Sequence, residues 1–311
     1  MAYNQKLKLN RTLGFEIECF LLDVPTHTND WGDRYTDYDE MDYSNCEVGG
    51  DGSLYGGDGS SVEVKTNPIN DLNIVESVFG ELSYDGMNVN DTCGLHIHVD
   101  TSDYSVEDKV RLLRFGAGIE LLMFSLVDDT RYYGRSDENH NEYCIKLHKD
   151  WRKIYRKDYI NQNIDYSDMH DIEDFTEYVQ DTRRRNNQSS RIWNGRYQWL
   201  NASVSGIPTC EFRIFSATED YQQAQKFGML AYHVIETVKH STISQIRFII
   251  KSIYQETTTD GMFSKFFDSI GLDEEFRPSV LNERVEAYLD NKYCQRNRDQ
   301  QQALSDIQQA I

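Results

Sequence analysis

The side chains able to do chemistry in this chain sit in short stretches where apolar and ionisable residues alternate. In Gly14-Phe15-Glu16-Ile17-Glu18-Cys19-Phe20 the two glutamates share one side, with Phe15, Ile17 and Cys19 on the other. Val62-Glu63-Val64-Lys65, Leu95-His96-Ile97-His98-Val99-Asp100 and Cys210-Glu211-Phe212-Arg213-Ile214 repeat the pattern. Strand side chains alternate faces with a period of two, so each stretch predicts a strand with an apolar back and an ionisable front. A merely solvated strand surface would mix in Thr, Ser and Lys. These fronts are dominated by Glu, His and Arg, which points to a sheet whose charged face is a reaction site.

Metal binding is the first chemistry this set suggests. Glu16, Glu18, Glu63 and Glu211 with His96 or His98 make an oxygen-rich ligand group, suited to Mg²⁺ or Mn²⁺; zinc selects more imidazole or thiolate. No glutamate follows His96-Ile97-His98 as a cupin-like site would need, and the other histidines fall outside strands, against a zinc hydrolase barrel. One of the two histidines is expected to be a ligand, the other to contact substrate or phosphate. Arg213 shares the front with Glu211, and Arg196 and Asn201 precede it. Arginine beside metal-bound carboxylates suits an anion with several oxygens, while a plain salt bridge to Glu211 is the simpler alternative. There is no G-x-x-x-x-G-K-[ST] loop and no G-x-G-x-x-G turn, so a nucleotide would be held by metals and arginines.

The elements that must position these groups read as α+β. The 311 residues are 39% hydrophobic, enough for one large domain or two medium ones. With 52 acidic against 32 basic residues the net charge is −20, which disfavours a broad nucleic-acid surface or docking on anionic membrane. The scattered Cys19, Cys46, Cys93, Cys144, Cys210 and Cys294 read as reduced thiols. With no leader-like or membrane-spanning apolar run, a soluble, cytoplasmic protein is expected. Residues 26–61 read as a long loop with a strand through Cys46-Glu47-Val48. Helices are expected over 71–82, after the cap Ser105, over 220–239, and in shorter pieces over 244–256, 262–270 and 279–293. The polar segment 131–191 carries the solvated run Arg183-Arg184-Arg185, and the Gln-rich 299–311 is a weak helix or tail. Strands flanking a helical middle, without regular β-α alternation, predict a mostly antiparallel sheet.

In their order along the chain, these motifs resemble a known family. Gly14-Phe15-Glu16-Ile17-Glu18, Asp51-Gly52-Ser53-Leu54 with Glu63, Cys93-Gly94-Leu95-His96-Ile97-His98-Val99, and Asn201 with Glu211-Phe212-Arg213 are similar to the amidoligase family. That family lies in the carboxylate–amine ligase superfamily of glutamine synthetase and γ-glutamylcysteine synthetase. Asn141-Glu142-Tyr143-Cys144 after Arg135 resembles its middle motif. The resemblance implies a curved, mostly antiparallel sheet holding divalent cations around ATP phosphates. Glu18 and Glu63 would hold one metal; Glu16, His96 and Glu211 would hold another that bridges ATP. The second strand offers only one glutamate, and Asp51 or Asp58 would supply its missing partner. Arg213, Arg196 and Glu211 form the expected catalytic set, with Arg213 and Arg196 on the transferring phosphoryl group. Lys65, His98 and Asn201 join the arginines on the nucleotide.

The implied activity is an ATP- and Mg-dependent carboxylate–amine ligase, forming an amide through an acyl phosphate from a small-molecule or peptide carboxylate and an amine. A metal-dependent phosphoryl-transfer enzyme or hydrolase on the same scaffold is the alternative, as is a non-catalytic binding or assembly protein. Residues 1–242 would form the catalytic domain and 243–311 a helical extension packed on it.

Overall fold

The computed structural model describes residues 7–28, 31, 34–129, 131, 144, 147 and 198–310. In chain order the strands are β1 (Lys8–Leu21), β2 (Thr26–Thr28), β3 (Arg34–Thr36), β4 (Cys46–Gly50), β5 (Ser60–Thr66), β6 (Ile69–Asp71), β7 (Gly94–Asp100), β8 (Leu200–Asn201) and β9 (Thr209–Ser216). A seven-stranded sheet runs β4-β5-β1-β7-β9-β8, with β6 paired to β1. Its pairings are antiparallel. β2 and β3 form a separate hairpin within the stretch expected to be loop.

Alternation sorts each strand as the sequence predicts. Leu13, Phe15, Ile17, Val62, Val64, Leu95, Ile97, Val99, Cys210 and Phe212 are buried at the back of the sheet. Helices cover that back: α1 (Asn73–Tyr84), α2 (Val106–Ser125) and α3 (Tyr221–Lys239). The approach of α3 is close, since a Cβ on Gly228 would lie 2.8 Å from Phe15 Cζ. Phe215 stacks on Phe227 of α3 at 4.4 Å between ring centroids. Trp199 packs edge-on to Phe124 of α2, and its Nε1 donates to the buried Glu120. The result is a helix layer on a sheet layer with the other sheet face left for chemistry.

Local capping sets the helix starts. Ser105 and Asp108 exchange hydrogen bonds in a reciprocal capping box at the head of α2. Asp220 Oδ1 accepts from Gln222 N to start α3. α1 begins at Asn73, later than 71, because the Asp71 carboxylate accepts from Asn73 N and ends the preceding strand. Beyond it follow α4 (Ile243–Ile253), α5 (Thr259–Ser269), α6 (Glu283–Leu289) and α7 (Gln295–Ala310). α6 starts at Glu283, because the fully buried Asn282 caps it through Val285 N. The Gln-rich end is helical as α7. α4, α5 and α6 share the hydrophobic core of the sheet, and Tyr254 Oη donates to Gly118 O of α2 at 2.8 Å. No helix among the described residues is long and apolar enough to cross a membrane. The six cysteines are free.

At the far end of β1, Arg11 ties three elements together. Its guanidinium donates to Asp103 in the β7–α2 turn and to Glu236 of α3, and lies 5.7 Å from the centre of the Tyr104 ring. The bond from Arg11 lowers the Asp103 carboxyl from 3.8 to about 2, against a smaller opposing effect of burial. A depressed carboxyl stabilises the fold above its ordinary pKa and loses that contribution as pH falls from about 4 towards about 2. Asp103 is largely exposed, so the contribution is modest and sensitive to salt. Asp103→Asn should lower stability modestly at pH 7 and hardly at all near pH 2, flattening the acid limb between them, as urea titrations across pH would show. An unchanged acid limb would remove this pair from the stability account. At the back of the sheet, Phe15→Ala should cost about 3–5 kcal/mol in the same assay; a loss below about 1 kcal/mol would mean that the layer is not packed as described.

Candidate metal and anion site

Pairing register lines the front-face residues into rows across the sheet. Glu47, Lys65, Glu16 and His96 form one row through the pairs Glu47–Lys65, Glu16–Lys65 and Glu16–His96. The neighbouring row contains Gly49, Glu63 and Glu18 on one side and Gly94 with Ser216 on the other. A third carries Gly14, His98, Glu211 and Asn201. Between Leu95 and Ile97 the register with β9 slips, so Phe212 and Phe215 both stay at the back. This bulge faces His96 and carries Arg213, whose N–H donates to Trp199 O at 2.8 Å. Bulges re-aim side chains beside reaction sites, and this one turns the Arg213 guanidinium to Glu211 on the front face.

Two carboxylates on this face are buried, with Glu18 8% and Glu211 4% exposed. Glu18 Oε2 accepts from Gly94 N at 2.5 Å, and its Oε1 lies 3.5 Å from His96 Nε2. His96 Nδ1 is 3.2 Å from Glu16 Oε2 and 3.9 Å from Glu211 Oε1. Glu211 accepts from Arg213 on one oxygen and from Asn201 Nδ2, at 3.2 Å, on the other. His98 Nδ1 lies 3.1 Å from Thr209 Oγ1, which orients the ring and points Nε2 towards Glu16 Oε1, 3.3 Å away. Lys65 Nζ pairs with Glu63 at 2.6 Å.

The electrostatics follow from these partners. Burial pushes the Glu16 carboxyl up, but hydrogen bonds from His96 and His98 and their charge outweigh it and hold it well below the usual range. Burial pulls His98 down, while its bond to Glu16 and the charges of Glu211 and Glu16 prevail and raise it. Arg213 is likewise penalised by burial and raised overall by Glu211.

The donor groups fit hard divalent cations. Ligand atoms of Glu18, Asp51 and Glu63 lie within 4.8 Å of one another, as do those of Glu16, Glu63 and His96, and those of Glu16, His98 and Glu211. Carboxylate oxygen dominates each group. The buried His98 Nε2 has Glu16 Oε1 as its neighbour at 3.3 Å, so both ligand atoms face one point on the sheet. His98 Nδ1 at Thr209 is the kind of outer contact that fixes a ligand ring.

The expected residues therefore converge. Glu16, Glu18, Glu63, His96 and Glu211 share the face, with Lys65, His98, Asn201 and Arg213 among them. The grouping differs from the expected one: His98, not His96, joins Glu16 and Glu211, while His96 groups with Glu16 and Glu63. Of the two aspartates considered beside Glu63, Asp51 is at the site and Asp58 is exposed. Asp51 Oδ1 accepts from Ser53 N and Oγ, which steadies the loop over the face. Arg196, Arg135 and Asn141-Glu142-Tyr143 lie outside the described residues, as does the run Arg183-Arg184-Arg185. One residue escaped the sequence reading. Arg131 is 4% exposed and donates from Nη2 to Phe215 O at 2.9 Å, beside Gly94. A glycine at a front-face position of β7 was the available sign that another group fills that space.

A helix-backed antiparallel sheet with this front defines an α+β protein with a carboxylate–imidazole cluster that could hold a metal ion. The chain matches the family described as "Putative amidoligase enzyme" over residues 9–231, and it belongs to that family. No curated protein matches the chain.

Excess Mn²⁺ should stabilise the protein by about 2.7 kcal/mol at a concentration roughly a hundred times Kd, read as a rise in Tm. Glu16→Gln, which removes an oxygen shared by two of the groups, should remove most of that rise. Glu47→Gln at the sheet edge should leave it intact. A wild-type Tm indifferent to Mn²⁺ and Mg²⁺ would rule out the metal reading of this face.

Proposed function

We propose that this protein is an ATP- and Mg-dependent carboxylate–amine ligase of the glutamine synthetase-like superfamily, forming an amide through an acyl phosphate. The observation that supports this most is the convergence of Glu16, Glu18, Glu63, His96 and Glu211 with Arg213 on one face, in a chain of the amidoligase family. Bound there, Mg²⁺ or Mn²⁺ would supply Lewis-acid neutralisation of the phosphate oxygens.

The chain's own groups have distinct roles in this scheme. Glu18, Asp51 and Glu63 form one ligand group; Glu16 with His98 and Glu211, and with His96 and Glu63, form those nearer Arg213. Arg213 stabilises charge on the phosphoryl group as it moves from ATP to the substrate carboxylate, an effect worth most in a dry site. Asn201 holds Glu211 in place for that work. Lys65 contacts the nucleotide from the more open β5 side, and Arg196 is assigned to the same task. The sheet floor fixes the acyl phosphate against the incoming amine, so that attack is effectively intramolecular. The substrates are a small-molecule or peptide carboxylate and an amine, and the setting is the cytoplasm. Residues 1–242 form the catalytic unit with 243–311 as its helical extension.

Glu16→Gln and Glu211→Gln should each abolish Mg-ATP turnover while circular dichroism and cooperative unfolding stay near wild type. Arg213→Met should lower kcat by about 10²–10³. Mass spectrometry of ATP-dependent products across an amine panel checks the bond formed. Full activity in both glutamine variants would sink the assignment, and phosphate release indifferent to every amine would favour the hydrolase reading.

A further inference from the structure

Arg131 is a buried cation for which the proposed chemistry has not yet found a use. It follows α2 on a turn in which its N–H donates to Asp128 O, and its side chain runs under the front of the sheet. Nη2 donates to Phe215 O at 2.9 Å, and the buried Nε makes no hydrogen bond. A guanidinium carries five donors, so most of its capacity is unspent. Its position is close to Glu18: a Cβ built on Gly94 would collide with Nη2 and would lie 2.9 Å from Glu18 Oε2.

Two features clear this space. Gly94 has no side chain in a row where Glu63 and Glu18 have theirs. The bulge in β9 sends the Phe215 ring back against Phe227, leaving its carbonyl to hold Arg131. Arg131 and Arg213 therefore both lie on the β7–β9 side, where the charges of both reach Cys144, whereas Glu16, Glu18, Asp51 and Glu63 occupy β1, β5 and the loop between β4 and β5. Both described arginines of the face thus lie on one side with Glu211, and the remaining carboxylates lie on the other with Lys65.

We infer that Arg131 is a further anion-binding arginine of this site, beyond Arg213 and Arg196, holding with Arg213 the oxygens of a phosphoryl group. This rests on the ligase reading above as far as ATP is concerned. A guanidinium this deeply buried, held by a backbone carbonyl and by no carboxylate among the described residues, is poised for an anion beside it. A phosphoryl group, with several charged oxygens, matches the planar fork of donors that Arg presents.

The test compares wild type, Arg131→Met and Arg131→Lys by calorimetry with Mn²⁺ alone, Mg-ATP, and inorganic pyrophosphate with Mg²⁺. Arg131→Met should weaken Mg-ATP and Mg-pyrophosphate by about tenfold to a hundredfold, the usual loss of a charge-assisted hydrogen bond. Mn²⁺ affinity and Tm without ligand should change little, and Arg131→Lys should recover part of the anion affinity by keeping the charge. Wild-type anion affinity in Arg131→Met would overturn the inference. So would a loss matched by Mn²⁺ affinity and Tm, since that pattern belongs to a structural arginine. If wild type binds Mg-pyrophosphate in an Arg131-dependent way but not Mg-ATP, the ligase reading fails and Arg131 keeps its role. If wild type binds neither anion, both readings fall.

Discussion

Glu16, Glu18 and Glu211 lie in one sheet face with little access to water, and the rest of the molecule must make that tolerable. Burial disfavours the charged carboxylate, and placing Glu63 directly opposite Glu18 adds like-charge repulsion across the strands. The protein answers with specific partners. His96 and His98 serve Glu16, the Gly94 amide serves Glu18, Arg213 and Asn201 serve Glu211, and Lys65 serves Glu63. Each partner comes from the same strand or an adjacent one, so the charge pattern exists only while the register holds. The register in turn depends on the back of the sheet. A slip of one residue would turn Phe15 and Ile17 to the front and drive Glu16 and Glu18 into the helix layer.

Much of this was legible without coordinates because a strand's period of two is short and local. Phe15-Glu16-Ile17-Glu18 and Leu95-His96-Ile97-His98 specify which side chains face forward, and the structure agrees at those positions. The main helices were legible for a similar reason, with Ser105 and Asp220 marking their starts. What alternation cannot convey is which forward residues become neighbours. Whether His96 or His98 meets Glu211, and whether Asp51 or Asp58 joins Glu63, depends on strand order and loop path. Those are set by contacts far apart in sequence. The hairpin of β2 and β3 was hidden because its strands are three residues each, too short for an alternation to show. The same locality explains α7: a polar, Gln-rich segment has little amphipathic signal, and Asn297 anchors it by donating to Tyr254 O and Glu256 O.

The partners of the carboxylates also have a second meaning. Lys65 and Arg213 are tied to Glu63 and Glu211, which are also members of the groups that could hold a metal ion. A cation at those oxygens would compete with the lysine and the arginine for the same lone pairs. It would free positive side chains next to the place proposed for phosphate oxygens. Metal and anion sites sharing carboxylates in this way would be coupled, since loading one changes the charge available to the other. Such coupling would need only rotamer changes on the sheet.

Arg131 shows why a strand pattern read too strictly conceals a site. Continued past Ile214, the alternation of Cys210-Glu211-Phe212-Arg213 would put Phe215 on the front face beside Glu18. A phenyl ring there would fill the space above Gly94 and leave an arginine nowhere to go. The bulge breaks the alternation after Arg213, returns Phe215 to the helix layer, and leaves only its carbonyl at the front. The cost is one irregular step in an otherwise regular ladder. In return, the chain after α2, which contributes no strand at that point, can deliver a cation to the centre of the sheet. The irregularity and the glycine are thus two halves of one device, and neither has an evident purpose when read without the other.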